Sequence, residues 1–593
     1  MAIFLLKAAL LWISLLGYCF FFRKKNINMA FTPVITLSGV GVAMFLAGIL
    51  NIMPYAVWLI WMGGIWCALI SKPWKYKDDF CKQDYLCLAV FSIIAACFAI
   101  RLYNQIPTHY DSFSHWLTVV KEILKTDSLP NFKSDLIMFQ GYPTGAAGFI
   151  YFICKFLGRS GDDLILFAQS LLIAACLCVF TAFIKRLNIF ACLVAVCGSI
   201  YCLVANSPQD TAIAEPLVDT LISGLSLAAL AIIIYYKDEL FKAALVSLII
   251  QVFLVAVKNS GIIMLLLNTA LLLFLSILYD FKNKNRFSFT RFIKLGIIHS
   301  GIPAAVFVLW SRHVEYVFQS GASSKHTVSI ENYTNVFKDK TNGQIKEIIT
   351  NFLNRLFSWN STWLLLIIIS VILIFGYIIK RVLLNEKSCN ELFIAVGLAI
   401  AYFGFMGILA VMYLLSMPYD EAVVLASYSR YEKTVVIYIV GAITVYLIHL
   451  VSVTSPLRKN VIVGIFSVLL SGSILLTQLN NIPDLFIKAN AYEGSERQLL
   501  EEIKAEYSIP EGSSCFIYGA QIENDAGYHY CAGRYIFWNT SINTCSPNQL
   551  SDKSDTIKNY DYLIVLQSDN AINAYLTENA LPLGESAYKI SDN

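Results

Sequence analysis

The chain has 593 residues, of which 57% are hydrophobic and 14% are charged, and its mean hydropathy is +0.64. Soluble domains carry about 25% charged residues, so this composition excludes an ordinary soluble enzyme. The formal net charge of +4 is too small to indicate a nucleic-acid partner. We therefore expect an all-α polytopic membrane protein whose main partner is the lipid bilayer.

Apolar runs recur from the N-terminus to about residue 480. A spanning helix needs about 20 apolar residues. The sequence contains fourteen candidate runs: 2–22, 30–50, 54–71, 86–103, 162–183, 188–206, 216–236, 241–257, 260–279, 293–311, 362–380, 391–415, 433–450 and 461–479. The first run ends in Arg23-Lys24-Lys25 without a small-residue cleavage site, so we expect a retained helix and not a cleaved signal peptide.

One further apolar stretch, 142–158, is ambiguous, and the basic loops decide how it is read. Lys and Arg concentrate in cytoplasmic loops. The basic loops at 23–25 and 72–82 then lie inside, which places the loop after residue 103 outside. The later basic loops all fall inside only if 142–158 does not cross. We predict about 14 spans, with 142–158 re-entrant or lying along the outer surface.

These runs divide the chain into three predicted regions. Residues 1–85 supply extra N-terminal transmembrane helices, 86–480 form the main transmembrane domain, and 481–593 form a small extracytoplasmic α/β domain. The main domain is expected to present three outer loops, at 104–161, 206–216 and 312–361.

The polar tail has its own pattern of elements. An amphipathic helix is predicted from Glu496 to Tyr507, and strands are predicted at Cys515–Tyr518 and Tyr562–Leu566. Three cysteines lie in the tail, Cys515, Cys531 and Cys545. One pair of them can form a disulfide if the tail is extracytoplasmic, and the sequence does not say which pair.

The first large outer loop contains the polar sequence His109-Tyr110-Asp111-Ser112-Phe113-Ser114-His115-Trp116. Asp111 is either a solvated loop residue or a catalytic base. His109 and His115 are either solvated or hold a substrate. Trp116 either stacks on a sugar ring or anchors the membrane interface, where tryptophan is common. Ionisable residues crowded at a membrane edge tend to mark function, so this loop is the first candidate site.

Further ionisable residues lie at the predicted outer ends of later spans. The turn before the span at 216–236 is acidic and contains Asp210, Glu215 and Asp219. Glu215 and Asp219 are four residues apart and are expected to share a helix face, where acids can also simply offset the helix dipole. Lys258 is the single charge between Leu245 and Leu278, and it is either functional or a lysine that snorkels to the interface. Arg430 precedes a late span and is either functional or an ordinary interfacial arginine.

Together, and in this order, these pieces resemble the GT-C superfamily of polyprenyl-phosphate-sugar-dependent membrane glycosyltransferases. Its members carry an acidic residue in the first large outer loop, as at Asp111, and then a Tyr-Pro segment that leads into a juxtamembrane helix. The remaining matches in chain order are Tyr142-Pro143, Phe156-Leu157-Gly158, the basic span end Lys185-Arg186, the acidic loop from Asp210 to Asp219, the Thr-Lys-x-x-Gly-like turn Lys258-Asn259-Ser260-Gly261 and the Pro-Arg-Tyr-like motif Ser429-Arg430-Tyr431. The resemblance covers roughly 86–480, and its specificity lies in the order of the motifs.

The chain departs from the superfamily pattern at three points. Three extra spans precede the loop that carries Asp111. Ser112 stands where a second acid is frequent, and Ser429 stands where the motif has proline. These departures leave the subfamily and the metal requirement open.

The resemblance implies that a sugar moves from a polyprenyl-phosphate-linked donor to a cell-surface glycan, lipid or protein acceptor at the outer membrane face, with inversion. Asp111 would be the catalytic base, and Arg430 and Lys258 would bind the donor phosphate. The substrate-positioning residues would be His109, His115, Trp116, Tyr142, Glu215, Asp219 and Tyr431. A divalent metal is an optional cofactor, with Asp111, Asp210, Glu215 and Asp219 as candidate ligands. We expect a bacterial cytoplasmic membrane, with the active site and the C-terminal domain extracytoplasmic.

Two other functions stay open. A polysaccharide polymerase or O-antigen-type ligase would also use a large outer loop with basic residues, and the 312–361 loop contains Arg312, His313, Lys325 and His326. A lipid-linked-sugar transporter or flippase is the alternative from another class. Transporters often show internal repeats and charges at broken helices in mid-membrane, whereas the sequence shows no evident repeat. A purely structural scaffold would leave the order of the motifs unexplained.

Overall fold

The computed structural model describes residues 2–73, 80–185, 188–207, 213–284, 286–318, 330–382, 390–454, 457–487 and 491–590. These residues form two compact units. The first unit comprises those within 1–105, 126–129 and 141–488, and the second comprises those within 106–125, 130–140 and 489–593. The second unit thus combines the tail with much of the first outer loop, which the sequence had grouped with the membrane domain.

The first unit is helical. Twelve helices among the described residues are long and apolar enough to cross a membrane: Ala2–Lys24, Met29–Ile49, Met53–Ser71, Lys82–Leu102, Asp162–Phe183, Leu240–Val257, Gly261–Lys282, Phe289–Val317, Ser361–Val382, Glu391–Leu415, Tyr428–Val453 and Lys459–Leu476. The other two predicted spans are also helices, Ile189–Val204 and Asp219–Tyr235, of 16 and 17 residues. The helical content and these apolar helices indicate a multi-pass membrane protein.

The ambiguous stretch 142–158 contains the helix Gly145–Leu157, which has 13 residues. At 1.5 Å per residue it is about 20 Å long, whereas the hydrocarbon core is about 30 Å thick. Its length therefore agrees with the prediction that this segment does not cross. Every residue of this helix except Lys155 is buried, so it packs inside the bundle.

The shorter helices of the first unit connect the apolar ones. They are Ile330–Lys338, Asn342–Phe357, Tyr419–Val423 and Ile482–Phe486, with a 3-10 turn at Leu479–Asn481. The 3-10 turns Met29–Phe31 and Cys178–Phe183 and the π-helical turn Ile297–Gly301 lie inside three of the apolar helices. Helices start where local chemistry favours it. Pro33 and Pro54 lie in first turns, where a missing N–H costs nothing, and Thr341 and Gln344 form a capping box.

The core of the first unit lies around the helices Asp219–Tyr235 and Tyr428–Val453, most of whose residues are buried. A polar network joins them to the helix Gly261–Lys284. Asn268 Nδ2 donates to Ser226 Oγ at 3.1 Å, and Tyr438 OH donates to Asn268 Oδ1 at 3.0 Å. Buried amides and hydroxyls need such partners, so this network fixes the relative register of the three helices.

The second unit contains a four-stranded sheet in the order β2-β1-β3-β4. The strands are β1 (Cys515–Tyr518), β2 (Ile542–Cys545), β3 (Tyr562–Val565) and β4 (Ala587–Lys589). Strand β1 pairs in parallel with β2 and β3, and β3 pairs antiparallel with β4. The helices of this unit are Leu117–Thr126, Glu496–Glu506, Ile522–Phe537, Leu550–Lys553 and Asn570–Glu578, with a π-helical turn at Ser112–Trp116 and 3-10 turns at Pro547–Gln549 and Ser554–Asn559.

The predicted α/β character of the tail is confirmed. The expected strand at Cys515–Tyr518 is β1, the expected strand at Tyr562–Leu566 is β3, and the expected helix is Glu496–Glu506. β1 is central and wholly buried, which suits its uninterrupted apolar sequence, Cys-Phe-Ile-Tyr.

The three tail cysteines are free thiols, so the disulfide that the sequence allowed does not form. Cys515 and Cys545 lie in β1 and β2 as core residues, and Cys531 is buried with its Sγ 4.0 Å from Met138 Sδ. Burial raises the pKa of Cys515 to about 12 and that of Cys545 to about 11. They act as small apolar side chains of the sheet.

Candidate functional site

Asp219 is the acidic centre of the candidate site in the first unit. It is the first residue of the helix Asp219–Tyr235, and its side chain is only 3% exposed. The chain on either side is held by buried amides. Gln169 Nε2 donates to Leu217 O at 2.8 Å, and Asn206 Nδ2 donates to Thr220 Oγ1 at 3.0 Å. Asp219 is therefore a positioned carboxylate and not a solvated loop acid.

Lys258 reaches this carboxylate from a break between two helices. The helix Leu240–Val257 ends just before it, Lys258 itself is extended (φ −159°, ψ 147°), and the next helix begins at Gly261. Lys258 Nζ lies 2.8 Å from Asp219 Oδ1. A Cβ on Gly261 would lie 2.4 Å from Leu254 O, so the turn has room only for glycine. Lys258 is buried, which argues against the snorkelling interpretation.

Arg430 contacts the other oxygen of the same carboxylate. It lies in the first turn of the helix Tyr428–Val453, and its Nε is 3.2 Å from Asp219 Oδ2. The next residue supplies an aromatic ring to both cations. Lys258 Nζ is 5.3 Å and Arg430 Cζ is 5.7 Å from the centroid of the Tyr431 ring, within cation–π range. We call Asp219, Lys258, Arg430 and Tyr431 the ion cluster.

The ion cluster combines two cations with one carboxylate, and the formal charges of these three side chains sum to +1. Each charge also lies at or near the N-terminus of a helix, those that begin at Asp219, Gly261 and Tyr428. Helix N-termini carry partial positive charge and unsatisfied N–H groups. The arrangement is therefore suited to an additional anion, most simply a phosphate.

The Tyr142-Pro143 segment adjoins the Lys258 turn. Gly141 O accepts hydrogen bonds from Asn259 Nδ2 at 3.3 Å and from Trp310 Nε1 at 3.1 Å. At Gly145 an added Cβ would lie 2.6 Å from Ala256 O, so the two backbones touch there. Tyr142 itself is half-buried. The structure thus brings the Tyr-Pro segment and the lysine turn together, two motifs that the sequence had singled out separately.

The sequence predicted that Glu215 and Asp219 share a helix face, and this prediction is wrong. The helix begins at Asp219, so Glu215 lies before it, in an irregular segment, and is half-buried. The third acid of this turn, Asp210, lies outside the described residues, as do Lys325 and His326 of the later loop.

The segment that carries Arg430 is supported by residues that sequence reasoning missed. Arg355 Nη2 donates to Ser429 Oγ at 3.3 Å, and the Phe352 ring packs against Tyr428 with centroids 5.6 Å apart. Both side chains come from the amphipathic helix Asn342–Phe357. A helix was not predicted inside the 312–361 loop. The pattern of apolar and polar positions in this segment was a usable signal for one.

Glu432 is a second missed residue. It is buried next to Tyr431, and Tyr402 OH donates to its Oε1 at 2.7 Å. An acidic residue inside a predicted span is costly and tends to mark function. That rule, applied to the span at 433–450 and its approach, would have found it.

Asp111 lies in the second unit. It is half-buried and directly precedes the π-helical turn Ser112–Trp116. Its backbone N donates to Nδ1 of His109 at 3.1 Å, so the two predicted site residues are neighbours. The following Phe113 is buried and contacts the rings of Tyr528 and Tyr535, with centroids 5.7 and 5.4 Å apart. The tail thereby fixes the loop that presents Asp111.

His115 and Trp116 differ in how accessible they are. His115 is 3% exposed, and its ring packs edge-on against Trp116 at 4.7 Å and against Phe139 at 5.6 Å. Trp116 is half-buried. His109 and Trp116 are thus more open to a substrate than His115, which has the surroundings of a core histidine.

A basic pocket of about 510 Å³ in the second unit is a further feature that the sequence did not reveal. Lys121 Nζ donates to Tyr535 O at 2.9 Å, and Lys504 Nζ donates to Ile536 O at 2.6 Å. These carbonyls belong to the last turn of the helix Ile522–Phe537, where cations are favourable. Burial, partly offset by Glu511, lowers the pKa of Lys121 to about 8. Both lysines therefore bind carbonyls at the C-terminal end of this helix, although burial makes the charged form of Lys121 less favourable than it is in water.

The optional metal has little support in the described residues. Within the described ranges, no group of three or more His, Cys, Asp or Glu side chains could hold a metal ion. Of the candidate ligands, Asp219 already pairs with two cations, and Asp210 lies outside the described part of the chain.

Chemically, the first unit offers two buried cations on one carboxylate, and the second offers a half-buried carboxylate beside a histidine. Neither a scan against protein-family models nor a search of the curated proteins found a match to this chain. Its function is therefore inferred from these residues and their surroundings.

Proposed function

We propose that the protein is an integral-membrane glycosyltransferase of the GT-C type. It moves a sugar from a polyprenyl-phosphate-linked donor to a glycan, lipid or protein acceptor of the cell surface, with inversion at the anomeric carbon. The proposed place of reaction is the extracytoplasmic face of a bacterial cytoplasmic membrane. The observation that carries the proposal is the ion cluster.

The ion cluster supports a phosphate site on two grounds. First, its side chains come from three positions that the superfamily resemblance had already named, the acidic second loop, the lysine turn and the late arginine motif. Second, its charge is suited to the reaction. Lys258 and Arg430 are held 2.8 and 3.2 Å from one carboxylate, and two cations fixed side by side in this way are suited to binding a lipid phosphate. Asp219 then serves to hold both cations in place.

The proposed reaction is a displacement at the anomeric carbon. The acceptor hydroxyl oxygen forms the new glycosidic bond, and its proton passes to the Asp111 carboxylate. The bond from the anomeric carbon to the phosphate oxygen breaks, and that oxygen leaves with the electron pair. Lys258 and Arg430 stabilise the charge that the phosphate gains, which is the part of such a reaction where fixed cations contribute most. A positioned base contributes about 10²–10⁴-fold.

The remaining residues have proposed positioning roles. Tyr431 lies against both cations. Tyr142 follows Gly141, which accepts a hydrogen bond from Asn259 in the Lys258 turn, and Glu215 precedes Asp219 by four residues. His109, His115 and Trp116 are proposed to hold the acceptor near Asp111. His109 is the best supported of these three, because it hydrogen bonds to the Asp111 backbone and is half-buried.

The test compares cells that carry the wild type, a deletion, Arg430→Gln or Arg312→Gln at matched expression. Arg312 is the matched control because it is 76% exposed and its partner is the surface residue Glu315. Polyprenyl-linked sugars and surface glycans are measured by mass spectrometry. We expect Arg430→Gln to behave like the deletion, losing one glycan modification while a monosaccharide-lipid accumulates. Arg312→Gln should match the wild type. A deletion that leaves every lipid-linked sugar unchanged would refute the proposal.

A lipid-linked-sugar transporter is a second candidate, because transporters also direct helix N-termini at anionic substrates. Purified protein in liposomes separates the two. A transferase releases polyprenyl phosphate from a lipid-linked sugar when an acceptor is present, whereas a transporter changes only the leaflet in which the intact donor lies.

A further inference from the structure

A groove of about 470 Å³ lies among four apolar helices of the first unit. They are Ala2–Lys24, Met29–Ile49, Met53–Ser71 and Leu240–Val257. Its volume falls in the range of small-molecule and lipid sites, about 300–1,000 Å³. Its lining is almost entirely apolar, and the two side chains with polar atoms are bonded inside the protein. Tyr18 OH donates to Ile60 O at 2.7 Å, and Thr36 Oγ1 lies 3.6 Å from Cys19 Sγ.

The groove is open along one side. Leu245 is 58% exposed, and Gly39 and Ala43 are half-buried, although all three line it. Gly39 leaves room in the wall, since a Cβ there would meet only Ile249 Cγ1, at 3.9 Å. In a membrane the material available to fill an open apolar groove is a lipid chain.

Two lysines lie at one end of the groove. Phe22 and Ile27 line that end, and Lys25, which follows Phe22 by three residues, is exposed. Lys242 precedes the lining residue Leu245 by three residues on its helix, so the two share a face. Neither lysine is committed to a buried partner. Lys242 lies 3.3 Å from Glu239, whose side chain is 60% exposed, and such surface pairs are weak.

Charge at this end therefore favours an anionic headgroup. The neighbouring Arg23 is paired with Asp84 at 2.9 Å, and Lys24 Nζ donates to Ile70 O at 3.5 Å, so Lys25 and Lys242 are the cations considered for a headgroup. Basic residues in short loops are expected on the cytoplasmic side. Basic sites between transmembrane helices on that side are suited to acidic phospholipids.

We propose that the groove and its two lysines bind an anionic glycerophospholipid of the cytoplasmic leaflet. One acyl chain lies in the groove, and the phosphate lies at Lys25 and Lys242. A glycerophospholipid is favoured over a polyprenyl phosphate because the groove has room for one chain of ordinary length. The site is independent of the proposed sugar transfer, since none of its residues belongs to the ion cluster or the Asp111 loop.

The test is native mass spectrometry of the full chain after exchange into an equimolar mixture of phosphatidylglycerol and phosphatidylcholine with identical acyl chains. We expect one retained lipid, with phosphatidylglycerol preferred. The double variant Lys25→Gln/Lys242→Gln should lower that preference by about fivefold per lysine. The control Lys282→Gln/Lys294→Gln removes two exposed basic residues elsewhere and should leave it unchanged. Equal retention of both lipids by the wild type, or an unchanged preference in the lysine variant, overturns the headgroup assignment.

Variants that fill the groove test the proposed binding of the acyl chain. Gly39→Leu should abolish lipid retention, whereas Gly404→Leu should not, because Gly404 lies on an exposed helix face with no atom within 4 Å of its Cβ position. Leu245→Trp provides a second filling variant should Gly39→Leu fail to fold. Retention of phosphatidylglycerol by a folded filling variant overturns the proposal, and so does displacement of phosphatidylglycerol from the wild type by equimolar polyprenyl phosphate.

Discussion

The sharpest prediction concerns the carboxylate that two cations share. Replacing Asp219 with Asn keeps the size of the side chain but removes the charged carboxylate that Lys258 and Arg430 share. At an effective dielectric constant near 20, contacts of 2.8 and 3.2 Å correspond to gross attractions of about 6 and 5 kcal/mol. Desolvation and the mutual repulsion of the cations offset much of this. Breaking a buried pair costs about 3–5 kcal/mol, and we expect Asp219→Asn to lie at the upper end of that range.

The double variant makes this prediction specific. Lys258→Met alone leaves Asp219 paired with Arg430, so it should cost less than Asp219→Asn. Adding Lys258→Met to Asp219→Asn removes one of the two cations that lose this carboxylate and should restore part of the lost stability, a coupling that separate sites would not show. The control is Glu315→Gln, which breaks a surface pair of 2.9 Å. Surface pairs contribute about 0–1 kcal/mol.

The assay is thermal unfolding of the purified protein in one detergent. Asp219→Asn should lower the melting temperature by several degrees, Lys258→Met by less, and Glu315→Gln hardly at all. The double variant should melt above Asp219→Asn. If Asp219→Asn melts like the wild type, or if the double variant melts at the sum of the two separate losses, the three side chains do not form a coupled buried cluster.

Three further predictions concern the second unit. Asp111→Asn should lower sugar transfer by about 10²–10⁴-fold without loss of folding, whereas Asp135→Asn, at an exposed position, should leave it unchanged; equal activities in the transfer assay would remove Asp111 as the base. Because burial lowers the pKa of Lys121 to about 8, the folded state releases a proton that the unfolded chain holds up to about pH 10.5. Stability therefore rises with pH in this window, and the wild type should gain about 2 kcal/mol relative to Lys121→Met between pH 7.5 and 9.5, measured by unfolding at both values. A constant difference would contradict the burial of a charged lysine. Burial acts to raise the pKa of Glu511, but Lys125 and Lys121 hold that pKa below its usual range. Glu511 should therefore contribute stability above about pH 4.5 that is lost as the pH falls through its lowered pKa. In an acid titration of stability, Glu511→Gln should flatten that loss.

Sequence reasoning reached the helices more easily than the site. Each predicted span is a helix because a run of apolar residues bounded by charge has few alternatives. Strand β2 was not predicted because Ile542-Asn543-Thr544-Cys545 is a short edge strand with polar residues and without a continuous apolar pattern. The helix Ile522–Phe537 was not predicted because Gly527 and Gly533 lower its propensity. At Gly533 a Cβ would lie 2.8 Å from Ile517 Cδ1 of β1, so the helix packs closely on the sheet there.

In the candidate site too, some residues could be predicted from the sequence, and others depend on how the helices pack. Lys258 was singled out as an isolated charge at a glycine turn, and Arg430 by its position before a late span. Their common partner could not be predicted, because the acidic turn offered three carboxylates and the choice of Asp219 depends on how three helices pack. The support that the tail gives to the Asp111 loop was likewise hidden, since it depends on contacts between residues far apart in sequence, such as Phe113 with Tyr535.

That support has a consequence for biosynthesis. Arg497 Nη1 donates to Pro107 O at 2.6 Å, and Lys121 Nζ donates to Tyr535 O at 2.9 Å, so the loop at 107–121 acquires these partners only after the ribosome has passed residue 535. At about 5–20 residues per second, the delay from residue 111 is roughly 20 to 85 seconds. The apolar helices can insert during this interval. The loop that carries Asp111 therefore reaches its final form late, after the apolar helices of the first unit have been synthesised.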